Sequence, residues 1–247
     1  MLRTFVHRFA PSALAGALLV AAAGCAAQPF NDPVRDGPFF TPANHVGAPS
    51  LGGLRRVVVL PVYGGALAPL ETVVALDPVF AAALQQEARF EVVTLSRDDC
   101  RRKFHAEEFS SAAALPHDFL ATLRREFAAD AVLFIDITVF RAYRPLSLGL
   151  RGKLATLDGT RLLWTFDDVF STENPAVANS ARRHYAGSDR GGVPTDLSPG
   201  VLLSPVRFAG YAAAAMFATL PPVNPPPATN SRQSPRAAKV AAIPADN

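Results

Sequence analysis

The side chains that could carry chemistry in this 247-residue chain are two cysteines, five histidines, adjacent acid pairs and one carboxylate inside an apolar run. The histidines, His7, His45, His105, His117 and His184, lie far apart, and none sits at metal-ligand spacing. There is no Cys-x-x-Cys, no His-Glu-x-x-His, no Gly-x-Ser-x-Gly and no Gly-rich phosphate loop. Asp98-Asp99, Glu107-Glu108 and Asp167-Asp168 are the acid pairs. Neighbours on a strand point to opposite faces, so Asp167 and Asp168 cannot readily share one acid–base site. Asp136 stands in Phe134-Ile135-Asp136-Ile137-Thr138, where a lone carboxylate is costly without a partner. Arg141, Arg144, Arg151 and Lys153 on the next segment are its expected ion-pair partners; an exposed strand face is the other reading. Arg182-Arg183-His184-Tyr185 is a basic-aromatic cluster that could receive a phosphate, a glycan or an acidic partner, against a default of a solvated loop face. No residue is assigned a catalytic, cofactor or metal role, and the chain is expected not to be an enzyme.

Cys25 is the more informative cysteine because of its flanks. A short basic start with Arg3 and Arg8 precedes an apolar run from Ala10 to Val20, then Ala21-Ala22-Ala23-Gly24. After Cys25 the sequence turns polar and proline-rich. This order is that of a secretory signal. With a cysteine at the cleavage point, Ala22-Ala23-Gly24-Cys25 resembles the lipobox of bacterial lipoproteins, departing from it at Ala22, where Leu is commoner. The resemblance implies that Cys25 is acylated and becomes the mature N-terminus. Residues 9–24 are shorter than the roughly 20 residues a spanning helix needs, and Pro11 interrupts their start. The stretch Ala209 to Leu220 is also short, and is bounded by Arg207 and Pro221. Several acyl chains, at about 0.8 kcal/mol per buried methylene, would hold the mature protein on a membrane. Ala26 stands where the family's inner-membrane retention signal has Asp, so the resemblance implies the outer membrane, periplasmic side.

Removing residues 1–24 takes two of the 24 Lys+Arg and none of the 21 Asp+Glu, so 22 face 21. That near-neutrality argues against a nucleic-acid partner, which needs a clustered cationic excess. Cys100 is left without an intramolecular partner, which excludes a disulfide framework; a packed thiol is its plain reading. Residues 25–53, with Pro29, Pro33, Pro38, Pro42 and Pro49, read as a tether. Residues 221–247 hold seven of the 22 prolines and read as a disordered, mildly basic tail. One domain, 54–220, remains.

Within it strand and helix alternate. Val57 to Val62 is a continuous β-branched run, expected to be covered on both faces. Asp77-Pro78 reads as the start of a helix carrying Val79, Phe80, Ala83 and Leu84 on one face. Phe90 to Leu95 is a second strand, and Ser96 with Asp99 caps a short helix around Cys100 to Phe104. His117-Asp118 opens a helix with Phe119, Leu120, Leu123 and Phe127 as its stripe, leading into the strand Ala131 to Tyr143. Leu148 to Leu157 and Arg161 to Phe170 form a hairpin across Asp158-Gly159, with Trp164, Phe166 and Phe170 on one face. Residues 171–200 read as a long loop with one helical turn at Val177 to Arg183. Ser204-Pro205 starts a final helix to Leu220. The expected fold is a single α/β domain of two or three layers around a mixed sheet, its closing hairpin supplying antiparallel edges.

Arg56-Val57-Val58-Val59-Leu60-Pro61-Val62, Phe90-Glu91-Val92-Val93 and the junction Ala129-Asp130-Ala131-Val132-Leu133-Phe134, followed by a hairpin of two long strands, carry a second resemblance. Residues 54–170 look like periplasmic lipoproteins related to CsgG, LpoB and the N-terminal domain of TolB. The resemblance implies a small α/β adapter that binds another envelope protein near a membrane. A CsgG-like pore needs two long alternating hairpins, with spanning strands of about 9–11 residues. No such pair is present: Arg151 and Lys153 oppose Leu148, Leu150 and Leu154, which suits a half-buried soluble strand. The leading reading is therefore a non-catalytic assembly or regulatory adapter at the outer membrane. An oligomeric export component and an envelope hydrolase with an unrecognised site are the alternatives. The candidate partner surface is the outer face of the 148–170 hairpin with the 171–200 loop, represented by Arg151, Arg182 and Arg183.

Overall fold

The structure is a computed structural model in which residues 33–186 and 199–224 are described. Cys25, the signal segment 1–24 and residues 225–247 of the expected tail lie outside them. The described elements are α1 (Pro33–Asp36), β1 (His45–Gly47), β2 (Arg56–Val59), α2 (Leu70–Gln86), β3 (Glu91–Thr94), α3 (Arg97–Phe104) and α4 (Phe119–Phe127). They continue with β4 (Ala131–Arg141), β5 (Ser147–Thr156), β6 (Leu162–Ser171), α5 (Pro175–Ala186) and α6 (Pro205–Phe217), a 3-10 turn at Pro199–Leu202 preceding α6. The six strands form one open mixed sheet in the order β1-β6-β5-β4-β2-β3. β3, β2 and β4 run parallel, and β4, β5, β6 and β1 are antiparallel to their neighbours.

Alternation along β2 explains the layers. Val57 and Val59 enter the apolar cluster built with α2, α5 and α6, whereas Val58 and Leu60 enter the one built with α3 and α4. A strand buried on both faces has to be apolar at every position, as the run from Val57 shows. On β6, Trp164, Phe166 and Phe170 share the first cluster, with the Phe166 and Phe170 rings stacked at 6.3 Å. At the base of the sheet Asp130 accepts the Arg55 and Arg56 amides at 2.8 and 3.0 Å, latching the start of β2 beside the start of β4. Those backbone hydrogen bonds, the Arg56 amide first, hold its pKa below the ordinary carboxylate value.

The structure corrects four expectations. First, the segment read as a tether belongs in part to the packed body. Its β1 pairs with β6, Leu51 is buried, and the Phe40 ring meets Phe170 edge-on at 5.5 Å. Isolated apolar anchors between prolines carry no periodicity, so this packing left no pattern to read. Second, β1 therefore caps the sheet beyond β6, and the β5–β6 hairpin is interior rather than an edge. Third, Asp77-Pro78 does not open a helix. α2 begins eight residues earlier at Leu70 and runs through Pro78, which gives up the amide that would have bonded the Val74 carbonyl. Fourth, residues 175–186 of the expected loop form a full helix. Its first turn is set by Asn174 accepting the Ala176 amide at 2.9 Å, and it buries Val177, Ala178 and Ala181. Ser96 and Ser204 cap α3 and α6 as the sequence implies, accepting the Asp99 and Arg207 amides at 3.1 and 3.3 Å.

The close fit of α6 on the sheet rests on Gly152 of β5. A Cβ there would lie 2.4 Å from Met216 Cε and 2.7 Å from the Trp164 ring. Gly152→Ala is expected to destabilise the fold by about 1–3 kcal/mol through overpacking. Urea unfolding with an unchanged slope is the measurement, and an unshifted midpoint would contradict the packing.

Candidate functional site

In open α/β sheets a ligand crevice forms beyond the carboxyl ends of parallel strands, where successive connections leave to opposite sides. That place exists here. From β2 the chain goes through α2 on one face to β3, then through α3 and α4 on the other face to β4, which lies on β2's far side.

The chain's own side chains fill the mouth. Arg97, at the start of α3, is nearly buried, with 9% of its side chain exposed. Its Nε and Nη2 donate to the two oxygens of Asp77 at 2.8 and 3.1 Å, and Nη1 donates to Glu108 at 2.8 Å. Nη2 also reaches the Val62 carbonyl at 2.7 Å. Asp77 in turn accepts the Val62 amide at 2.8 Å, and Glu108 the Gly65 amide at 3.1 Å. One guanidinium thus ties α2, α3, the loop after β2 and the loop after α3, using the planar fork that lysine lacks. Burial is the largest single influence on Arg97 and opposes its charge; the two carboxylates outweigh it and raise its pKa above the ordinary value. Asp77, spent as an N-cap in the sequence reading, has this role instead.

Asp136 closes the neighbouring position. It is 3% exposed, and Ser110 Oγ and Ser111 Oγ donate to one of its oxygens at 3.0 and 2.9 Å. The Ser111 amide completes the set at 3.0 Å, while Lys153 Nζ on β5 donates to the Ser111 carbonyl at 2.8 Å. The expected ion pair is not the arrangement found. Arg151, directly opposite Asp136 in register, turns to Asp167 at 2.9 Å, and Arg141 approaches Glu173 at 3.7 Å. Asp136 anchors the 105–118 loop through serines; no motif marked Ser110 and Ser111, because their bonds span some 25 residues of sequence.

Beside this mouth lies a cleft of about 760 Å³ between α2, the end of β3 and α3. One wall is apolar, with Leu70 and Val74 58% and 46% exposed. The other carries Ser96, Arg97, Asp98, Arg101 and Glu107. Its cations are already paired, Arg97 as above and Arg101 with Asp98 and Glu107 at 2.9 and 2.6 Å. Cys100 packs behind α3 and is fully buried; burial, with Asp99 adding to it, pushes its thiol up to about 12. A thiol held protonated is a poor nucleophile. Among the described residues no group of three His, Cys, Asp or Glu side chains could hold a metal ion, and no helix is long and apolar enough to cross a membrane.

The predicted partner surface does not form one patch. Arg151 lies on the sheet face that carries Lys153, Thr165 and Asp167, opposite the face of Leu148, Leu150 and Leu154. Arg182 and Arg183 lie on α5, which packs on that second face. Arg182 donates to Asn179 at 3.4 Å, and Arg183 lies over the Phe39 ring at 4.3 Å. The sequence placed all three near the hairpin; α5 folding under the sheet separates them. Cys25, the expected lipid attachment, lies outside the described residues.

No family model matches the chain, and no curated protein matches it. Among solved structures, the chain is similar to the PelC dodecamer from Paraburkholderia phytofirmans, at 11% identity over 51% of this chain and 78% of PelC, with a TM-score of 0.37. It is similar to lipoprotein GNA1162 from Neisseria meningitidis at 19% identity over 48% and 83% of the two chains, TM-score 0.36. Hypothetical protein CT253 from Chlamydia trachomatis matches at 15% identity over 65% and 99%, TM-score 0.33. Likenesses at this level assign neither function nor residue roles.

Arg97→Met leaves Asp77 and Glu108 facing each other without a counter-charge, and should cost about 3 kcal/mol. Arg97→Lys should recover only part of it, since one ammonium cannot span four acceptors. Chemical denaturation reads both; wild-type stability in the methionine variant would contradict the arrangement.

Proposed function

We propose that this chain is an outer-membrane lipoprotein, held by acylated Cys25 on the periplasmic side, whose α/β domain acts as a non-catalytic adapter for another envelope protein. The observation that carries the reading is that the charged groups at the crevice are engaged within the chain: Arg97 pairs with Asp77 and Glu108, and Asp136 accepts from Ser110 and Ser111. Function then falls to the surface. The uncovered face of β5 and β6 supports this, presenting Arg151, Lys153, Thr165 and Asp167 with the exposed Val169 beside them. Mixed charge with an apolar neighbour is the composition of a protein-docking rim, not of a hydrolytic pocket.

The test is tagged full-length chain recovered from gently solubilised membranes. Wild-type chain should incorporate labelled palmitate and co-purify a partner in fixed ratio. Cys25→Ser should lose the label and appear in the soluble fraction. Arg151→Glu should stay membrane-bound but lose most of the partner, while Arg182→Ala on the other face retains it. An unlabelled wild-type chain overturns the anchor, and full capture by Arg151→Glu overturns the docking face.

A further inference from the structure

The basic-aromatic cluster of α5 meets α6 and the segment before β1 at a notch of about 360 Å³, remote from the crevice and from the open sheet face. Phe39, Ser180, Arg183, His184 and Tyr211 line it, with alanines 214 and 215 as its apolar floor. We propose that this notch binds a small ligand bearing an oxyanion, a carboxylate or a phosphate, with Arg183 as its principal contact.

Three observations carry the proposal. The first is the state of Arg183. Its guanidinium is stacked over the Phe39 ring at 4.3 Å, which fixes the plane of the group. Among the described residues none accepts its N–H donors, and no carboxylate lines the notch. An arginine held by its face and open at its edge presents the fork that carboxylate and phosphate fit bidentately.

The second is the pair of hydroxyls set beside Arg183. Tyr211 is 4% exposed, and its hydroxyl makes no hydrogen bond with normal geometry. Burial is the main influence on it and raises its pKa, while Ser180 nearby pulls the other way. The Ser180 hydroxyl accepts the Phe40 amide at 2.8 Å and lies beside the Tyr211 hydroxyl. Hydroxyls beside an open guanidinium suit a group that accepts hydrogen bonds. His184 adds a polar edge, and partial burial of its ring lowers its pKa.

The third is that the notch is built before any ligand arrives. Tyr185 donates to the Arg207 carbonyl at 2.6 Å and carries the Arg207 guanidinium over its ring at 4.7 Å, joining α5 to α6. Asn179 donates to the Pro38 carbonyl at 3.3 Å, which with the Phe40 bond fixes the strand of chain that bears Phe39. Preformed donors lose little freedom on binding. The volume lies at the small end for ligand pockets, enough for an acidic monosaccharide or a phosphorylated polyol and too small for a larger body.

The proposal is independent of the adapter reading, since it concerns the opposite face of the sheet. Isothermal titration of the full chain with inorganic phosphate, glycerol 3-phosphate and glucuronate tests it. Saturable binding of at least one is expected. Arg183→Ala should weaken it tenfold or more, Tyr211→Phe by a smaller factor, and Arg182→Ala not at all. Preference for glycerol 3-phosphate identifies a headgroup-like source, for glucuronate an acidic sugar, and equal binding of inorganic phosphate a free anion. No saturable binding by any of the three overturns the proposal, as does an Arg183→Ala variant that melts like wild type and binds like it.

Discussion

The constraint on which this fold turns is the need to satisfy one nearly buried guanidinium. A charge with 9% of its surface in water is tolerable only when its donors are met, and Arg97 meets two carboxylates and a backbone carbonyl. Doing so fixes the direction of α2, the start of α3 and the course of the chain after β2. The interior of the mouth becomes a set of mutually saturated groups. The same contacts that order the fold thus engage the charged groups at the mouth.

The two surfaces that remain differ in chemistry because different elements cover the sheet. Over β2 and β4, both faces are buried by helices. Beyond β4, helices among the described residues bury only one face, and β5 and β6 keep a polar side carrying the Arg151–Asp167 pair. On the far side, α5 and α6 present an arginine stacked on a phenylalanine, beside the buried Tyr211. The two sides of the sheet therefore offer different chemistry, a mixed-charge face on β5 and β6 and an arginine-bearing notch between α5 and α6.

Much of the architecture was legible because it follows from local rules. The unbroken valines of β2, the Ser96 and Ser204 caps and the Asp158-Gly159 turn with Gly159 at φ +72° each state their structure in a few residues. What misled was local chemistry recruited for distant contacts. Asp77-Pro78 has the form of a helix start, yet Asp77 serves Val62 and Arg97, and the helix tolerates Pro78 within it. The chain before β2 looks like a linker because Phe40 and Leu51 anchor it singly. Arg151, Arg182 and Arg183 looked like one surface because sequence distance says nothing about which side of a sheet the next helix takes. Ser110 and Ser111 were invisible, since a hydroxyl pair becomes a carboxylate's partner only after folding.

The central claim is that the charged groups beyond the parallel strands are engaged by the protein's own backbone and side chains. Hydrogen exchange of the native chain, read residue by residue, tests it most directly. The amides of Val62, Gly65 and Ser111 lie in loops, yet Asp77, Glu108 and Asp136 accept them. The account predicts that they exchange as slowly as the amides of β2 and β4. Exchange at the rate of unprotected loop amides would mean an open mouth, and would contradict it.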